Sequence, residues 1–320
     1  MKILVTGGAG FIGTNFCHYI VNKYPNYKVV CLDKLTYASS FESLNDIINN
    51  PNFKFVKGDI CNEEAINELF ETEQFDVVVN FAAESHVERS ILNPSIFIES
   101  NVLGVRVLLD ACRKFNTRFH QISTDEVYGG LLLNNFNGAF TEESVLKPSS
   151  PYSASKASAD MLVMSYFKTF NLPVTISRCS NNFGPYQHPE KLIPLTLNRA
   201  LNNQSLIVHG TGLDMRDWIY VLDHCRAVDL IIHNGRIGEI YNIAGNNEIT
   251  NLELMDRVCL AINKTPQKQH IPNRPCHDEK YTLNCSKIER ELGFTPSANF
   301  NKELENTVNW YLNNKNYLNK

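Results

Sequence analysis

Three residues with hydroxyl and carboxyl side chains stand together in the stretch "QISTDEVYGG", residues 121–130. Thr124 is followed directly by Asp125 and Glu126, just after an apolar run. Adjacent carboxylates repel each other, so one of them is favoured protonated and the other ionised. Such a pair could therefore act as a general acid beside a general base. A solvated loop, or a helix whose N-cap lies in "STDE", would account for the same residues without catalysis.

A second pair follows in "PYSASKASAD", where Tyr152 and Lys156 are spaced to share one face of a helix. A free tyrosine has a pKa near ~10, which is too high for a base at neutral pH. We expect the ammonium group of Lys156 to lower the pKa of Tyr152. Because YxxxK is common by chance, the pair gains meaning only beside a nucleotide-binding motif.

A glycine-rich turn stands near the start of the sequence, in "VTGGAGFIG". Gly8, Gly10 and Gly13 fit GxGxxG, and Gly7, Gly10 and Gly13 fit the related GxxGxxG. Such glycines allow a tight turn and let a pyrophosphate approach the backbone at the N-terminus of the next helix. A purely structural turn would use the same residues.

The ends of the second and third predicted strands support a dinucleotide cofactor. Asp33 follows Gly13 by about twenty residues, the distance at which an acidic residue accepts hydrogen bonds from the adenosine ribose. A carboxylate there repels a 2′-phosphate and favours NAD over NADP, whereas the neighbouring Lys34 could attract one. Asp59 and Ile60, after the third strand, are placed to flank the adenine.

Alternating apolar runs and helical patterns must position these residues. Helices are predicted at 13–23, 41–49, 63–71 and 94–114, and strands at "KILVTG", "YKVVCLD", "FKFVKGD", "FDVVVNFAA" and "RFHQIST". Continuous Val and Ile runs between helices indicate parallel strands that are buried on both faces. The predicted fold class is α/β, a Rossmann-type doubly wound parallel sheet with a smaller C-terminal substrate-binding domain.

The alternation ends near residue 185, where short segments rich in Pro, Asn and Gly replace it. We predict a NAD-binding domain at 1–180 and a mainly substrate-binding domain at 181–320. The segment "DWIYVLDHCRAVDLIIHN" is predicted to be a helix of the main layer. Residues 218–243 are therefore expected to return to the first domain, so that the two domains interleave.

Charge and cysteine content exclude several classes of function. The chain has 30 basic and 34 acidic residues, a net charge of -4 and no long basic run, which argues against nucleic-acid or membrane-surface partners. Its 9 cysteines are scattered without CxxC spacing, which predicts a cytoplasmic location, no disulfide framework and no metal site. No apolar run reaches the ~18 residues of a membrane span.

Together these motifs resemble the extended short-chain dehydrogenase/reductase family and, within it, the nucleotide-sugar 4,6-dehydratases. The resemblance runs nearly end to end, through "GGAGFIG", "LDKLTYA", "AAESHVERSI", "STDEVYG", "SSPYSASKASAD", "CSNNFGPYQHPEKLIP", "RDWIYVLDH", "YNIAGNNEITNLEL" and "RPCHDEKY". It implies tightly held NAD and a nucleotide-diphosphate sugar substrate, dTDP-glucose or UDP-glucose. It also implies a homodimer, usually built through helices near the Tyr–Lys segment, and a place at the start of deoxysugar pathways such as that of rhamnose.

The resemblance gives each residue of the two motifs a role. Tyr152 removes the proton of the C4 hydroxyl while NAD oxidises C4, and Thr124 hydrogen-bonds the same oxygen. Asp125 then protonates the departing C6 hydroxyl, and Glu126 removes the C5 proton. Lys156 supports Tyr152 and the nicotinamide ribose, and reduction at C6 completes a 4-keto-6-deoxy sugar.

Further binding residues are implied by position within the matching motifs. The cofactor contacts are Gly7, Gly10, Phe11, Ile12, Gly13, Asp33, Lys34, Leu35, Thr36, Asp59, Ile60, Phe81, Ala82, Ala83, Ser85, Ser100, Tyr152, Lys156 and Asn182. The substrate contacts are Ser85, Thr124, Asn181, Glu190, Lys191, Leu192, His209, Arg216, Asn251, Arg274 and His277. Arg216 could equally form a structural ion pair with Asp217, and His86 and Arg89 could contact ligand or only position their loop.

Three positions depart from the family pattern. His209 stands where a tyrosine usually flanks the base, Cys276 stands where glycine is usual, and the loop "GGLLLNNFNGAF" is short and apolar. Because of His209, the sequence does not decide whether the base of the nucleotide substrate is thymine or uracil. Two other functions fit the same fold. A C4 epimerase generally lacks the Asp–Glu pair, and a non-catalytic NAD-binding scaffold would be expected to lose the catalytic residues.

Overall fold

The computed structural model describes residues 1–135, 138–273, 275, 278–297 and 299–319. The strands of these residues are β1 Lys2–Thr6, β2 Lys28–Asp33, β3 Phe53–Lys57, β4 Val77–Asn80, β5 Arg118–Thr124, β6 Val174–Cys179, β7 Asn181–Phe183, β8 Leu206–His209, β9 Met215–Tyr220, β10 Ile240–Ile243, β11 Glu248–Thr250 and β12 Lys268–Ile271. The helices are α1 Phe11–Lys23, α2 Glu63–Glu73, α3 Val87–Leu92, α4 Ser95–Ile98, α5 Gly104–Lys114, α6 Pro151–Phe170, α7 Leu192–Leu201, α8 Val221–Asn234, α9 Asn251–Ala261, α10 Ser286–Leu292 and α11 Phe300–Asn313. Shorter 3₁₀ segments lie at Phe41–Leu44, Asp125–Tyr128 and Lys315–Asn319, and a π-helical segment lies at Glu99–Leu103.

Within the described residues, seven parallel strands form the central sheet, in the order β10-β6-β5-β4-β1-β2-β3. Helices cover both faces, which is why the Val and Ile strands are buried throughout. On one face α1 and α8 pack through residues such as Phe16 and Val228. On the other face α2, α5 and α6 pack through residues such as Phe70, Leu108 and Val163. The predicted fold class is confirmed.

The strand order creates a crevice beside β1. The chain runs from β1 outward to β2 and β3, and then crosses to β4 on the other side of β1. At such a switch point the loops that follow two neighbouring strands diverge, and ligands of open α/β sheets bind in the crevice between them. The glycine turn and the acid pair both follow strands at this edge of the sheet.

Two smaller sheets stand beside the central one. β7, β9 and β11 form a three-stranded sheet, and β8 pairs with β12. Helices α7, α9 and α11 pack on each other and on β9 through an apolar cluster that includes Leu197, Trp218, Leu254 and Val308. These elements place the C-terminal part of the chain next to the crevice.

The segment 217–234 corrects one prediction. It is not a single helix, because Met215–Tyr220 forms β9 and α8 begins only at Val221. Aromatic and β-branched side chains in "DWIY" favour a strand, and β7 and β11 supply its hydrogen-bonding partners. α8 and β10 do join the central sheet, so this sheet contains residues from both sides of position 180.

Two predicted helices are also wrong in part. The stretch 41–49 contains only the 3₁₀ segment Phe41–Leu44, where the Ser43 hydroxyl donates to the Ser40 carbonyl at 2.6 Å instead of leaving it for a longer helix. The stretch 94–114 is divided by the π-helical segment into α4 and α5. Asn101, inside that segment, turns its amide towards the backbone of Glu84, a local widening of the kind that often accompanies functional sites.

Candidate active site

The glycine turn joins β1 to α1 and leaves room for a ligand. Gly7 has a φ of +68°, and a Cβ on it would stand 2.5 Å from the backbone nitrogen of Ala82. The Gly10 nitrogen donates to the Gly7 carbonyl at 3.1 Å, which closes the turn. Gly10 is also the N-cap of α1 and provides no side-chain cap, so the first N–H groups of the helix face the crevice. This arrangement fits the pyrophosphate of a dinucleotide.

Asp33 ends β2 beside this turn. Its two carboxylate oxygens accept hydrogen bonds from the backbone nitrogens of Ala9 at 2.9 Å and Leu35 at 2.8 Å. Each oxygen can accept a second bond, which leaves capacity for two ribose hydroxyls. The ammonium group of Lys34 pairs with Asp59 at 2.5 Å, an ion pair that lowers the pKa of that carboxyl although burial opposes it. The positive charge of Lys34, which could have attracted a 2′-phosphate, is therefore balanced by Asp59.

The loop after β4 contains four of the predicted cofactor residues, Phe81, Ala82, Ala83 and Ser85. The buried side-chain amide of Asn101 fixes the position of this loop. The Asn101 oxygen accepts from the Glu84 nitrogen at 2.8 Å, and its nitrogen donates to the Glu84 carbonyl and to the Ser155 hydroxyl, each at 2.9 Å. Ser100 precedes Asn101 in the π-helical segment. Asn101 thus links this loop to α6, a role that no motif in the sequence indicated.

The acid pair opens a 3₁₀ turn directly after β5. The Thr124 hydroxyl accepts from the Glu126 nitrogen at 3.3 Å, so the N-cap predicted as an alternative is present. The solvated-loop alternative is wrong, because Asp125 is only 3% exposed. Burial, and next the negative charge of Glu126, raise the pKa of Asp125 to about 8. Its Oδ1 accepts from Thr124 at 3.1 Å, whereas its buried Oδ2 has no partner within the described parts of the chain.

Tyr152 and Lys156 lie on α6, which begins with a capping box formed by Ser150 and Ser153. Tyr152 is buried, and the Thr124 hydroxyl lies close enough to influence its pKa. Burial, and then the charge of Glu126, raise the pKa of the Tyr152 phenol well above its usual value. In the chain by itself burial thus outweighs any lowering of this pKa by Lys156, whose ammonium donates to the Ile122 carbonyl at 2.7 Å.

Asn181 and Asn182 form the start of β7, next to the end of β6. The Asn182 amide oxygen lies 2.9 Å from Nδ1 of the fully buried His224, and its nitrogen donates to the Ser180 carbonyl at 3.0 Å. Gln187 donates to the Asn182 carbonyl at 2.9 Å. These bonds fix Asn182 from three sides, and the contribution of His224 was not predicted from the sequence.

Arg216 lies on β9 and is almost fully buried. Its guanidinium donates to the carbonyls of Met215, Glu279 and Asp278 at 2.8, 3.2 and 2.7 Å, and it stacks on the Tyr281 ring at 4.6 Å. The alternative of an ion pair with the neighbouring Asp217 is wrong. The Asp217 carboxylate accepts instead from the nitrogens of Gly245 and Asn247.

The other predicted substrate residues are distributed over the C-terminal elements. Lys191 precedes Leu192 at the start of α7, and its ammonium donates to the Ser85 carbonyl at 3.4 Å. His209 ends β8 with its Nδ1 buried, and no partner for that atom lies within the described ranges. Asn251 begins α9. Arg274, His277 and Cys276 fall outside the described residues.

The structure brings the predicted catalytic residues into one site. Thr124 donates to Asp125, and both Thr124 and Glu126 influence the pKa values of Asp125 and Tyr152. Among the residues described, no group of three or more His, Cys, Asp or Glu could hold a metal ion, and no helix could cross a membrane. The glycine turn, Asp33 and the Tyr–Lys pair define an NAD-type enzyme of the extended short-chain dehydrogenase/reductase class.

Comparison with known proteins narrows this class. The family model described as GDP-mannose 4,6 dehydratase matches residues 4–307, and the chain belongs to that family of nucleotide-sugar dehydratases. A dTDP-glucose 4,6-dehydratase of Escherichia coli is 44% identical over 342 residues, which span 99% of this chain and 94% of that protein. The predicted family and the predicted dehydratase class are confirmed.

Two solved structures are similar over almost the whole chain. The crystal structure of dTDP-glucose 4,6-dehydratase from Bacillus anthracis in complex with NAD has a TM-score of 0.92 and 45% identity, covering 99% of this chain and 98% of that one. The UDP-glucose 4-epimerase of Thermotoga maritima has a TM-score of 0.91 at 27% identity, covering 98% and 100%. Because a dehydratase and an epimerase match almost equally well in shape, the residues of the site must decide between them.

Proposed function

We propose that this chain is an NAD-dependent hydro-lyase that converts dTDP-glucose to its 4-keto-6-deoxy derivative by C4 oxidation, loss of water across C5 and C6, and C6 reduction. The observation that carries the proposal is the buried Asp125, with a pKa raised to about 8, directly beside Glu126. At neutral pH this pair provides one protonated and one ionised carboxyl, as an elimination requires.

The residues around the crevice fit NAD. Gly7 and Gly10 leave space for the pyrophosphate, Asp33 keeps acceptor capacity for the ribose, and Lys34 is neutralised by Asp59. When bound, NAD supplies the oxidant for C4, returns the same hydride at C6, and carries a positive charge that favours ionised Tyr152. We propose that the remaining cofactor contacts follow the positions predicted from the sequence.

Tyr152 removes the proton of the C4 hydroxyl, and Thr124 hydrogen-bonds the same oxygen. The influence of the Thr124 hydroxyl on the pKa of Tyr152 supports this assignment, since it requires the two side chains to lie near each other. Lys156 is anchored to the Ile122 carbonyl, and burial lowers the pKa of its ammonium group. Because burial raises the pKa of Tyr152 in the chain alone, a positive charge that arrives with the ligands would favour its ionised form.

Asp125 and Glu126 act after C4 has been oxidised. The ketone at C4 acidifies the C5 proton, which Glu126 removes while Asp125 protonates the departing C6 hydroxyl, and Glu126 returns the proton to C5 when C6 is reduced. C5 and C6 are bonded neighbours, so adjacent residues can serve both atoms. The unpartnered Oδ2 of Asp125 supports its role as the donor, because a buried carboxyl with a free oxygen can turn its proton toward the substrate.

The substrate contacts, the choice of base, and the domain division remain proposals. We assign sugar and nucleotide contacts to Ser85, Thr124, Asn181, Glu190, Lys191, Leu192, His209, Arg216, Asn251, Arg274 and His277. The preference for dTDP-glucose over UDP-glucose rests on the relatives, since His209 replaces the usual tyrosine. The division at residue 180, with 218–243 returning to the NAD-binding part, is supported by the position of α8 and β10 in the central sheet.

We also propose a cytoplasmic homodimer that supplies a deoxysugar pathway such as that of rhamnose. The eight cysteines of the described residues are all free, which suits a reducing compartment. Exposed apolar side chains on neighbouring helices support self-association: Leu92 is 85% exposed and Met161 59%.

A single incubation tests the proposal. Purified protein is given dTDP-glucose or UDP-glucose, then alkali, and the absorbance of the 4-keto product is read, with initial rates compared between the two nucleotides. We expect the keto product, formed faster from dTDP-glucose. Formation of a galactose nucleotide would indicate the epimerase instead, and absence of turnover with either nucleotide would favour the non-catalytic scaffold.

A further inference from the structure

Three loops converge over the crevice in which the cofactor is proposed to lie. Residues 34–40 follow β2, residues 81–86 follow β4, and residues 184–191 follow β7. β2 and β4 flank β1 on opposite sides, so their loops leave the sheet on opposite sides of the glycine turn. Contact between these loops must therefore pass across the crevice.

Aromatic and cationic side chains make this contact. The Arg89 guanidinium, at the start of α3, stacks on the Tyr37 ring at 3.5 Å, and thereby joins the loop after β2 to the helix after β4. The edge of the Tyr37 ring meets His188, with the ring centroids 5.5 Å apart. Tyr37 and Arg89 are each more than a third exposed, which places the stack at the surface of the molecule.

Glu190 links the same loops from the C-terminal side. Its carboxylate lies 3.5 Å from His86 Nε2, 3.8 Å from Arg89 Nη2 and 3.7 Å from His188 Nδ1. Burial lowers the pKa of His86, and the Glu190 nitrogen donates to His188 Nδ1 at 3.3 Å, so of these three contacts the one with Arg89 is the ion pair. We call the group formed by Tyr37, His86, Arg89, His188 and Glu190 the clasp.

The clasp lies next to the glycine turn. Ala9 of that turn lines one cavity together with Tyr37 and His188 of the clasp. The Ser40 nitrogen donates to the Ala9 carbonyl at 2.9 Å, so the loop that carries Tyr37 is itself attached to the turn. These contacts within the chain support loop positioning, one of the two predicted alternatives for His86 and Arg89.

We infer that the clasp closes the cofactor crevice and slows the release of NAD, so that one NAD molecule serves many turnovers. The inference rests on the proposed function, in which NAD is reduced and then reoxidised within each turnover. The reaction therefore does not require NAD to dissociate. An open crevice at a sheet edge would let NAD dissociate freely. A bridge from the β2 side to the β4 side must open before the dinucleotide can pass.

The test measures NAD release from the loaded protein. Wild type and Arg89→Ala are saturated with NAD, freed of excess, and mixed with ethanol and alcohol dehydrogenase, which reduces NAD only after release. We expect Arg89→Ala to release NAD roughly 3- to 10-fold faster, because it loses an exposed cation–π stack and an ion pair. Tyr37→Ala should act similarly, and the double variant should add little, since both changes break one contact.

The control is Arg113→Ala, which removes a comparable stack on Phe170 at 3.8 Å, on α5 and α6 away from the crevice. Its NAD release should match wild type. Equal release from wild type and Arg89→Ala would overturn the clasp. A wild type that retains no NAD after loading would instead contradict the proposed function together with the clasp, and acid extraction followed by chromatography of the bound nucleotide distinguishes the two results.

Discussion

Asp125 is kept protonated by its surroundings, first by burial and then by the charge of Glu126. A carboxyl whose pKa is raised to about 8 is neutral below that pH and loses its proton above it, so acid assistance to water loss should fade as the pH rises through about 8. Infrared titration checks this, because a protonated carboxyl has its own carbonyl band. We expect a band at pH ~7 that disappears near pH ~8.

Two variants identify that band. Asp125→Asn should remove it, and Glu126→Gln should shift its titration to lower pH, because a negative neighbour has been removed. A wild-type spectrum without a protonated carboxyl at pH ~7 would contradict the assignment of Asp125 as the acid.

The acid pair should be needed for elimination but not for oxidation. In the double variant Asp125→Asn with Glu126→Gln, we expect water loss to slow by about 10²–10⁴-fold, whereas C4 oxidation persists and NADH absorbance accumulates. The matched control changes the exposed neighbours Glu63 and Glu64 on α2 to glutamine and should turn over normally. Elimination at the wild-type rate in the active-site double variant would refute the roles given to this pair.

The sequence predicted the positions of some site residues but not of others. The glycines, Asp33, the acid pair and Tyr–Lys stand at fixed spacings along one strand end or one helix face, so local geometry suffices. Asn101, His224 and Tyr281 act through partners far along the chain, at Glu84, Asn182 and Arg216. No spacing encodes such contacts, because they exist only once the elements have packed.

At the level of elements, strands with continuous apolar runs were predicted well, and β5 matches its predicted bounds of 118–124. Errors arose where tertiary contacts override local pattern. β9 is stabilised as a strand by pairing with β7 and β11. The residues that follow β9 have a helical pattern, and the prediction extended that helix over the strand. The π-helical segment between α4 and α5 contains the inward amide of Asn101, and hydrophobic periodicity does not record its contact with Glu84.

The β1–α1 turn gives an element-scale prediction with a matched pair of glycines. Gly7 and Gly293 have φ of +68° and +67°, but a Cβ on Gly7 would meet the Ala82 backbone at 2.5 Å, whereas one on Gly293 would meet nothing within 4 Å. We expect Gly293→Ala to lower the free energy of unfolding by about 1 kcal/mol and Gly7→Ala by about 3 kcal/mol or more.

Urea denaturation measures both changes, and NAD binding to the folded variants provides a second readout. Gly7→Ala should also weaken NAD binding, because relief of the clash must displace the loop after β4 or the turn itself. Equal destabilisation by the two substitutions would show that backbone strain alone accounts for the loss of stability. Close packing of the turn against the loop after β4 would then make no additional contribution.

At the scale of the whole molecule, exposed apolar side chains are concentrated on contiguous helices. Leu92 on α3, Ile98 on α4, Leu103 in the π-helical segment and Met161 on α6 are exposed, and α6 contacts each of the other three elements. Single exposed apolar residues are ordinary, but several on adjoining helices mark an interaction surface. A second copy of the chain suits it, since helices packed across a two-fold axis bury the same residues twice.

The proposed homodimer is therefore tested at this surface. The double variant Leu103→Glu with Met161→Glu places two charges on it, and burying unpaired charges in an interface is strongly unfavourable. We expect the sedimenting species to change from dimer to monomer. The control Leu260→Glu alters a side chain that is 74% exposed on α9 and should remain dimeric. Because α6 carries Tyr152, loss of the dimer should also lower activity by loosening this helix, whereas a double variant that sediments like wild type would place the subunit contact elsewhere.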